Sequence, residues 1–234
     1  MLCKIAELFT EIPAAGGMSP RCRAYLAQEA QQPKIVIDER QYQLDRWKPL
    51  GENAAVYMES GRQFYVRLLH YDGLMLHASA AALGGRAYLF SGPCGRGKST
   101  HTRLWQRTFG DAVQVFNDDK PALRRLDGRW YAYGTPWCGK DGINLNQKWA
   151  LGGICFLEQA QENRIRRLTA AEALPLVLAQ TTYRLQARGM DLLLVSLDKL
   201  LREIPVFLLE NRPEEAAARL SYETMCRAAE EEGL

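Results

Sequence analysis

The sequence predicts an α/β fold with a mixed β-sheet and a helical C-terminal third. Three observations lead to this fold class. Strand-like and helix-like apolar patterns alternate along the chain. The turn pairs Gly84-Gly85 and Asp127-Gly128 each separate two strand candidates, which is typical of antiparallel hairpins. A glycine-rich loop at residues 92–97 then joins a strand candidate directly to a helix candidate.

Length and composition indicate a globular protein. The 234 residues predict one large domain, or one domain with an appendage. With 47% hydrophobic and 24% charged residues, the chain is neither disordered nor collagen-like. A formal net charge of +3 does not indicate a nucleic-acid or membrane partner, and no apolar run approaches the ~20 residues of a spanning helix.

The cysteines and the start of the chain favour a cytoplasmic location. The six cysteines are scattered and form no C-x-x-C pair, which excludes the spacing of a zinc cage or a disulfide framework. Reduced thiols are the simpler interpretation. The start, Met1-Leu2-Cys3-Lys4, lacks the pattern of a secretory signal.

Residues 1–70 are expected to pack on the core formed by residues 71–234. They show no recognisable chemistry. The elements expected in them are a strand over Ile5–Ile12, a β-rich segment at Ile35–Ile37 and a helix over Asn53–His70.

The central part of the chain predicts most of the sheet. Its strand candidates are Leu74–Leu83, Arg86–Ser91, Ala112–Asn117, Pro121–Leu126, Trp130–Tyr133 and Gly152–Leu157, and its helix candidate is Lys98–Phe109. The helical third follows. It comprises the helices Ala170–Thr182 and Met190–Glu203, a short strand Val206–Leu209, and a closing helix that Asn211 caps and Pro213 opens.

The segment Gly92–Ser99 matches the phosphate-loop pattern G-x-x-x-x-G-K-[ST]. A strand candidate precedes this segment and a helix candidate follows it. Backbone N–H groups at the start of that helix can therefore donate hydrogen bonds to phosphate oxygens. Lys98 would contact the β- and γ-phosphates, and the Ser99 hydroxyl would ligate Mg²⁺. The alternative is a glycine-rich turn with an exposed lysine. The residues expected to bind the nucleotide are Gly92, Gly95, Arg96, Gly97, Lys98, Ser99 and Thr100.

Two carboxylates follow the next strand candidate. A metal held by one hydroxyl and phosphates needs a further oxygen ligand, and Asp118 and Asp119 stand where a neighbouring strand ends. We expect Asp118 to bind the metal and Asp119 to lie nearer the acceptor, as a base for its hydroxyl. The alternative is that these residues only shape a turn.

The order of these motifs resembles the catalytic domain of HPr kinase/phosphorylase, whose fold is similar to the nucleotide site of phosphoenolpyruvate carboxykinase. The segments that carry the resemblance are Leu76-His77-Ala78-Ser79, the loop Gly92–Ser99 and Asn117-Asp118-Asp119-Lys120-Pro121. The resemblance covers about residues 70–160 and implies a P-loop kinase domain that phosphorylates a hydroxyl. It places His77 near the γ-phosphate and the acceptor. From the residues alone, a strand histidine among Leu76, Ala78 and Ala80 is more often a buried core residue than a catalytic one.

The chain also departs from that family. About 70 residues precede the match, too few for the family's N-terminal regulatory domain, so the chain resembles a short, divergent member. Where the family has a glycine-rich Glu-x-Arg-Gly signature, this sequence has Gly134–Gly142. We expect this segment to be a mobile flap in which Lys140 acts as a catalytic cation. Trp137 within it would stack on a ligand or pack in the core. HPr itself is not the expected substrate.

The sequence therefore predicts an ATP- and Mg²⁺-dependent kinase. Its acceptor would be a hydroxyl on a peptide or protein serine or on a small metabolite, and the family implies a homo-oligomer. The competing hypothesis is a nucleotide-binding switch or assembly protein with little or no transferase activity. A pocket that contains both aspartates and His77 favours the kinase, whereas a lone metal carboxylate favours the switch.

Overall fold

The computed structural model describes residues 1–181 and 185–234. The strands are β1 (Leu2–Ile5), β2 (Leu8–Glu11), β3 (Ile35–Val36), β4 (Gly73–Met75), β5 (Ala78–Leu83), β6 (Arg86–Ser91), β7 (Gln114–Asn117), β8 (Ala122–Leu126), β9 (Arg129–Tyr133), β10 (Lys148–Gln159), β11 (Arg164–Arg167) and β12 (Val206–Asn211). The α-helices are α1 (Met18–Cys22), α2 (Glu52–Leu68), α3 (Lys98–Phe109), α4 (Ala170–Ala179), α5 (Ala187–Glu203) and α6 (Glu215–Glu231).

Nine strands form one mixed sheet. Its order is β4-β8-β9-β10-β6-β5-β7, with β12 beside β10 and β11 beside β12. The long strand β10 is parallel to β6 and β12, and the remaining pairs are antiparallel. Burial on both faces suits β10 to this central place, since Leu151–Leu157 is buried throughout. The mixed α/β class predicted from the sequence is confirmed.

The sheet topology brings three chain segments to one edge. Strand β5 lies between β6 and β7 and is antiparallel to both, with Ala78 opposite Ser91 and Ala80 opposite Asn117. The carboxyl ends of β6 and β7 therefore meet the beginning of β5. His77, the glycine-rich loop at 92–97 and the acidic pair after β7 all lie at this edge.

The N-terminal strands β1, β2 and β3 form a separate small sheet. Its apolar side chains share a buried cluster with α2 and with the segment before β10, including Ile5, Ile12, Phe64, Tyr133 and Trp137. Burial of this cluster removes large aromatic surfaces from water. Residues 1–70 are thereby packed directly against the chain that carries the acidic pair.

Two of the predicted strands are each divided in the structure. Ile5–Ile12 contains a two-residue hairpin turn at Ala6 and Glu7, with φ of 47° and 64°. Such a turn usually carries Asn-Gly, so these residues gave no local signal for it. Leu74–Leu83 is interrupted at His77, whose N–H donates to the Gln180 carbonyl at 2.7 Å instead of continuing the sheet.

The turn at Gly84-Gly85 and the one at Asp127-Gly128 confirm the two predicted hairpins. The helix expected over Ala170–Thr182 ends at Ala179, and Thr182 lies outside the described residues. The cap predicted at Asn211 is wrong. Helix α6 begins after Glu214, while Asn211 ends β12 and donates through Nδ2 to Nδ1 of the buried His101 at 3.2 Å.

The burial of His101 predicts that the folded protein loses stability in acid. Burial lowers the pKa of His101 to about 3, against an ordinary value of 6.5. The unfolded chain therefore binds a proton that the native chain excludes, and stability falls as the pH drops from about 6.5 towards 3. Between pH 7.5 and 5, the free energy of unfolding should fall by about 2 kcal/mol more in the wild type than in His101→Gln, measured by urea unfolding. The exposed His70→Gln is the control, and equal pH slopes in the wild type and His101→Gln would contradict the assignment.

In the described part of the chain, residues 1–181 and 185–234, no helix has the length and apolar character needed to cross a bilayer.

Candidate functional site

The glycine-rich loop, residues 92–97, connects the buried strand β6 to helix α3. Gly92, Gly95 and Gly97 have φ of 138°, 83° and 93°, a region that side-chain-bearing residues rarely adopt. The loop therefore depends on glycine at these positions. Gly97 is the N-cap of α3 and provides no side-chain cap, so the first N–H groups of the helix stay open to an anion.

Lys98 folds back over this loop. Its ammonium group donates to the carbonyl oxygens of Gly92 at 2.8 Å and Pro93 at 3.2 Å. Burial lowers the pKa of Lys98, and the charge of Asp119 partly offsets that effect. The side chain is thus held at the loop, within electrostatic reach of Asp119. Of the other predicted nucleotide-binding residues, Ser99 is half-buried in the first turn of α3, while Arg96 and Thr100 are exposed.

His77 lies beside Asp119. Its Nε2 is 3.4 Å from Asp119 Oδ1, and its Nδ1 is 2.9 Å from the side-chain oxygen of Gln180. Burial and the positive charge of Lys98 lower the pKa of His77, against the opposing influence of Asp119. The imidazole is therefore neutral at pH 7 and has one nitrogen directed at the carboxylate.

Asp119 is the centre of a polar cluster. The hydroxyl of Tyr57 donates to its Oδ2 at 2.9 Å, and Lys120 forms an ion pair with the same oxygen. Lys120 also donates to the Tyr57 hydroxyl at 3.0 Å. Burial raises the pKa of Asp119, but Lys120, His77 and Tyr57 outweigh it and hold the pKa below its ordinary value. Asp119 is an ionised, partly exposed carboxylate.

Asp118 has a different environment. Its Oδ1 accepts the backbone N–H of Gly139 at 2.6 Å, and its Oδ2 accepts that of Asp141 at 3.2 Å. A Cβ at position 139 would lie 2.9 Å from Asp118 Oδ2, so this approach requires glycine. Burial raises the pKa of Asp118 although these N–H groups oppose the shift. In the structure Asp118 anchors the loop that carries Lys140.

The backbone between the two carboxylates is shaped by Asn117. Its side-chain oxygen accepts the N–H groups of Asp119 at 3.1 Å and Lys120 at 2.8 Å, while its amide donates to the Thr135 carbonyl at 3.1 Å. This Asx-type turn directs Asp118 and Asp119 to different neighbours. The alternative of a turn thus describes the backbone correctly, and the two side chains still converge on the sheet edge.

The segment Gly134–Gly142 differs from the expected mobile flap. Residues 134–138 are buried, and Trp137 stacks on Phe64 with ring centroids 4.7 Å apart. Trp137 is a core residue, because its ring is fully covered and its N–H donates to Ser60 at 3.1 Å. Lys140 is exposed between Gly139 and Asp141, which the bonds to Asp118 hold at the site.

Sequence reasoning missed three residues of this site. Tyr57 lies on α2, 62 residues before Asp119, and Gln180 lies 103 residues after His77. No local pattern marks either of them. Lys120 stands in the quoted acidic motif, where its position directly after the two aspartates was the available signal.

Comparisons with known proteins indicate similarity to solved structures only. No protein-family model matches the sequence, and no curated protein matches it. Among solved structures, the chain is similar to the HPr(Ser) kinase/phosphatase from Coxiella burnetii, with 13% sequence identity and a TM-score of 0.37. The match covers 65% of this chain and 93% of that one. These values indicate a distant structural relationship only.

Proposed function

We propose that this protein is a Mg²⁺-dependent kinase that transfers the γ-phosphoryl group of ATP to a hydroxyl on a peptide serine or a small metabolite. One observation carries the proposal. The sheet edge brings the glycine-rich loop with Lys98 together with His77 and the ionised Asp119. A nucleotide-binding switch requires the loop and a metal ligand. Unlike a kinase, it does not require a carboxylate paired with a neutral imidazole beside them.

The loop would bind the nucleotide phosphates. Its N–H groups at the start of α3 and the ammonium of Lys98 supply positive charge at one place. Lys98 can exchange its bonds to the Gly92 and Pro93 carbonyls for bonds to phosphate oxygens. Because Lys98 already lies against the loop, little side-chain ordering is required at that step.

The donor set fits Mg²⁺. The half-buried Ser99 offers a hydroxyl, and the Asp118 carboxylate has lone pairs beyond the two that accept Gly139 and Asp141. Within the described residues, no group of three or more His, Cys, Asp or Glu side chains forms a metal cage. A magnesium ion that is completed by phosphates and water needs only one or two protein ligands. When bound, it would neutralise charge on the transferring phosphoryl group.

Asp119 would act on the acceptor. Its ionised carboxylate accepts the proton of the acceptor hydroxyl while that oxygen bonds to the γ-phosphorus and the bond between this phosphorus and the bridging oxygen breaks. Lys120 and Tyr57 hold Asp119 in place through its Oδ2. His77 lies at Oδ1, so this oxygen and the imidazole together form the surface that the acceptor hydroxyl would meet.

Labelled nucleotide tests the proposal directly. The full chain is incubated with γ-labelled ATP, Mg²⁺ and a panel of serine peptides and hydroxylated metabolites. We expect label to appear on an acceptor and to require Mg²⁺. The contrary result is that nucleotide binds with Mg²⁺, no acceptor is labelled, and label leaves ATP only as slowly released phosphate. That result would support the nucleotide-binding switch instead of the kinase.

Lys140 provides a more specific prediction. Its neighbours are fixed by Asp118, and Asp141 is also tied to α3 through Arg103 at 2.5 Å, so the exposed Lys140 side chain starts from the rim of the site. If it reaches the phosphoryl group only in the transition state, Lys140→Ala should lower kcat by about 10²-fold and leave nucleotide affinity within a few fold. Steady-state kinetics and nucleotide titration measure both values. An unaltered kcat would remove Lys140 from the mechanism.

A further inference from the structure

A cleft of about 600 Å³ opens beside the site. Its walls come from the segment 41–47, from helix α2 and from the start of α5. Its size is in the usual range for ligand-binding sites. Its lining includes Tyr57 and Lys120, so the cleft adjoins the two side chains that contact Asp119, the carboxylate that we assign as the base.

The charge of this cleft has one sign. Its lining includes Arg46, Arg62, Arg67, Arg188 and Lys120 and, among the described residues, no aspartate or glutamate. Arg62 is paired with Glu59, and Lys120 with Asp119. The other three arginines have no acidic side chain within ion-pair distance in the described chain. A cleft with unpaired cations attracts and selects anionic ligands.

The positions of the unpaired arginines indicate an extended ligand. Arg46 precedes α2 and lies over the Trp47 ring at 5.0 Å, Arg67 is near the end of α2, and Arg188 is in the first turn of α5. The three cations stand on separate elements of the cleft wall, and a chain with several acidic groups offers a partner to each of them.

The remaining lining suits a peptide. Of the four glutamines in the lining, Gln63 bonds to the backbone of Asp38, and the exposed Gln41, Gln43 and Gln186 can donate to and accept from a peptide backbone. Trp47, Met58 and Leu185 add apolar surface between the charged groups. This mixture of aromatic, amide and guanidinium groups is typical of surfaces that bind a polypeptide segment.

We infer that this cleft binds an acidic peptide segment and presents a serine hydroxyl within that segment to Asp119. The inference deepens the proposed function and rests on it for the transfer step. In that step the hydroxyl proton moves to Asp119, the serine oxygen bonds to the γ-phosphorus, and the bond between this phosphorus and the bridging oxygen breaks so that ADP leaves. Peptide binding itself requires neither nucleotide nor transfer. It can therefore be tested separately.

The test measures peptide binding by fluorescence anisotropy in the absence of ATP. The probe is a fluorescein-labelled peptide with a central serine flanked by two glutamates on each side, and the matched probe has glutamine in place of every glutamate. The double variant Arg46→Gln/Arg188→Gln removes two exposed cations of the cleft. The control, Arg107→Gln/Arg227→Gln, removes two exposed arginines of α3 and α6 that lie outside the cleft lining.

We expect the acidic peptide to bind at least about 10-fold more tightly than the neutral one, and this preference to disappear in the cleft variant and to weaken with salt. The control variant should bind both peptides as the wild type does. Equal binding of the two peptides, or a preference that survives in the cleft variant, overturns the inference whether or not transfer occurs. Binding of malate or citrate without binding of the acidic peptide also overturns it in favour of a small anionic acceptor. If acidic-peptide binding persists while no acceptor is ever labelled, the proposed kinase activity fails and the cleft remains a peptide site.

Discussion

Lys98→Ala is expected to remove nearly all phosphoryl transfer while the fold persists. Among the described residues, the Lys98 ammonium bonds only to the carbonyls of its own loop, Gly92 and Pro93, so its loss leaves no distant buried partner unsatisfied there. We expect kcat/KM to fall by about 10²- to 10³-fold, because a charge aimed at the transferring phosphoryl group is lost. The free energy of unfolding should change by less than about 1 kcal/mol.

The measurement combines label transfer from γ-labelled ATP with urea unfolding of the same preparations. Lys199→Ala is the matched control, since Lys199 is an exposed lysine whose ion pair with Asp72, at 3.3 Å, lies on the surface. Lys199→Ala should leave kcat/KM and the free energy of unfolding near the wild-type values. If Lys98→Ala turns over at the wild-type rate, the glycine-rich loop is not a phosphate site and the proposed function is lost.

Asp119→Asn and Asp118→Asn are expected to change different kinetic properties, kcat in the first and the Mg²⁺ requirement in the second. Asp119→Asn removes the carboxylate that faces His77 and accepts from Tyr57, so kcat at saturating Mg²⁺ should fall by about 10²-fold or more. Asp118→Asn retains one oxygen for the N–H groups of Gly139 and Asp141 and loses the other. It should increase the Mg²⁺ concentration required for half-maximal rate several-fold.

Each variant also has a structural cost that must be measured separately. The amide in Asp119→Asn leaves the half-buried Lys120 without its ion-pair partner, and Asp118→Asn places an amide donor against a backbone donor. Losses of about 1–3 kcal/mol in the free energy of unfolding are expected from such unsatisfied groups. Kinetics are therefore compared at a temperature at which urea unfolding shows every variant to be folded.

Asp141→Asn is the control, because it retains the backbone N–H that Asp118 accepts and changes only the exposed carboxylate paired with Arg103. It should keep both the kcat and the Mg²⁺ requirement of the wild type. Wild-type kinetics for Asp118→Asn and Asp119→Asn at every Mg²⁺ concentration would show that the acidic pair only shapes a turn. Reversed effects would exchange the roles of the two carboxylates.

The parts of this protein that the sequence determined are those encoded by neighbouring residues. Helix α3 begins at Lys98 and ends at Phe109, as its apolar spacing and the preceding glycines predict. The hairpins at Gly84-Gly85 and Asp127-Gly128 follow from the backbone conformations those residues accept. Local preferences of this kind act over a few residues, which is why the loop between β6 and α3 was recognisable without a structure.

Tertiary structure alone decided which side chains surround Asp119. The contact of Tyr57 with Asp119 spans 62 residues and that of His77 with Gln180 spans 103, and both depend on how α2 and the chain after α4 pack on the sheet edge. Asp118 and Asp119 are adjacent identical residues, yet one anchors the loop that carries Lys140 and the other faces His77. Burial raises the pKa of Asp118, whereas Lys120, the next residue along the chain, lowers the pKa of Asp119 together with His77 and Tyr57. The burial and the two partners distant in sequence exist only in the folded chain, so no local pattern contains them.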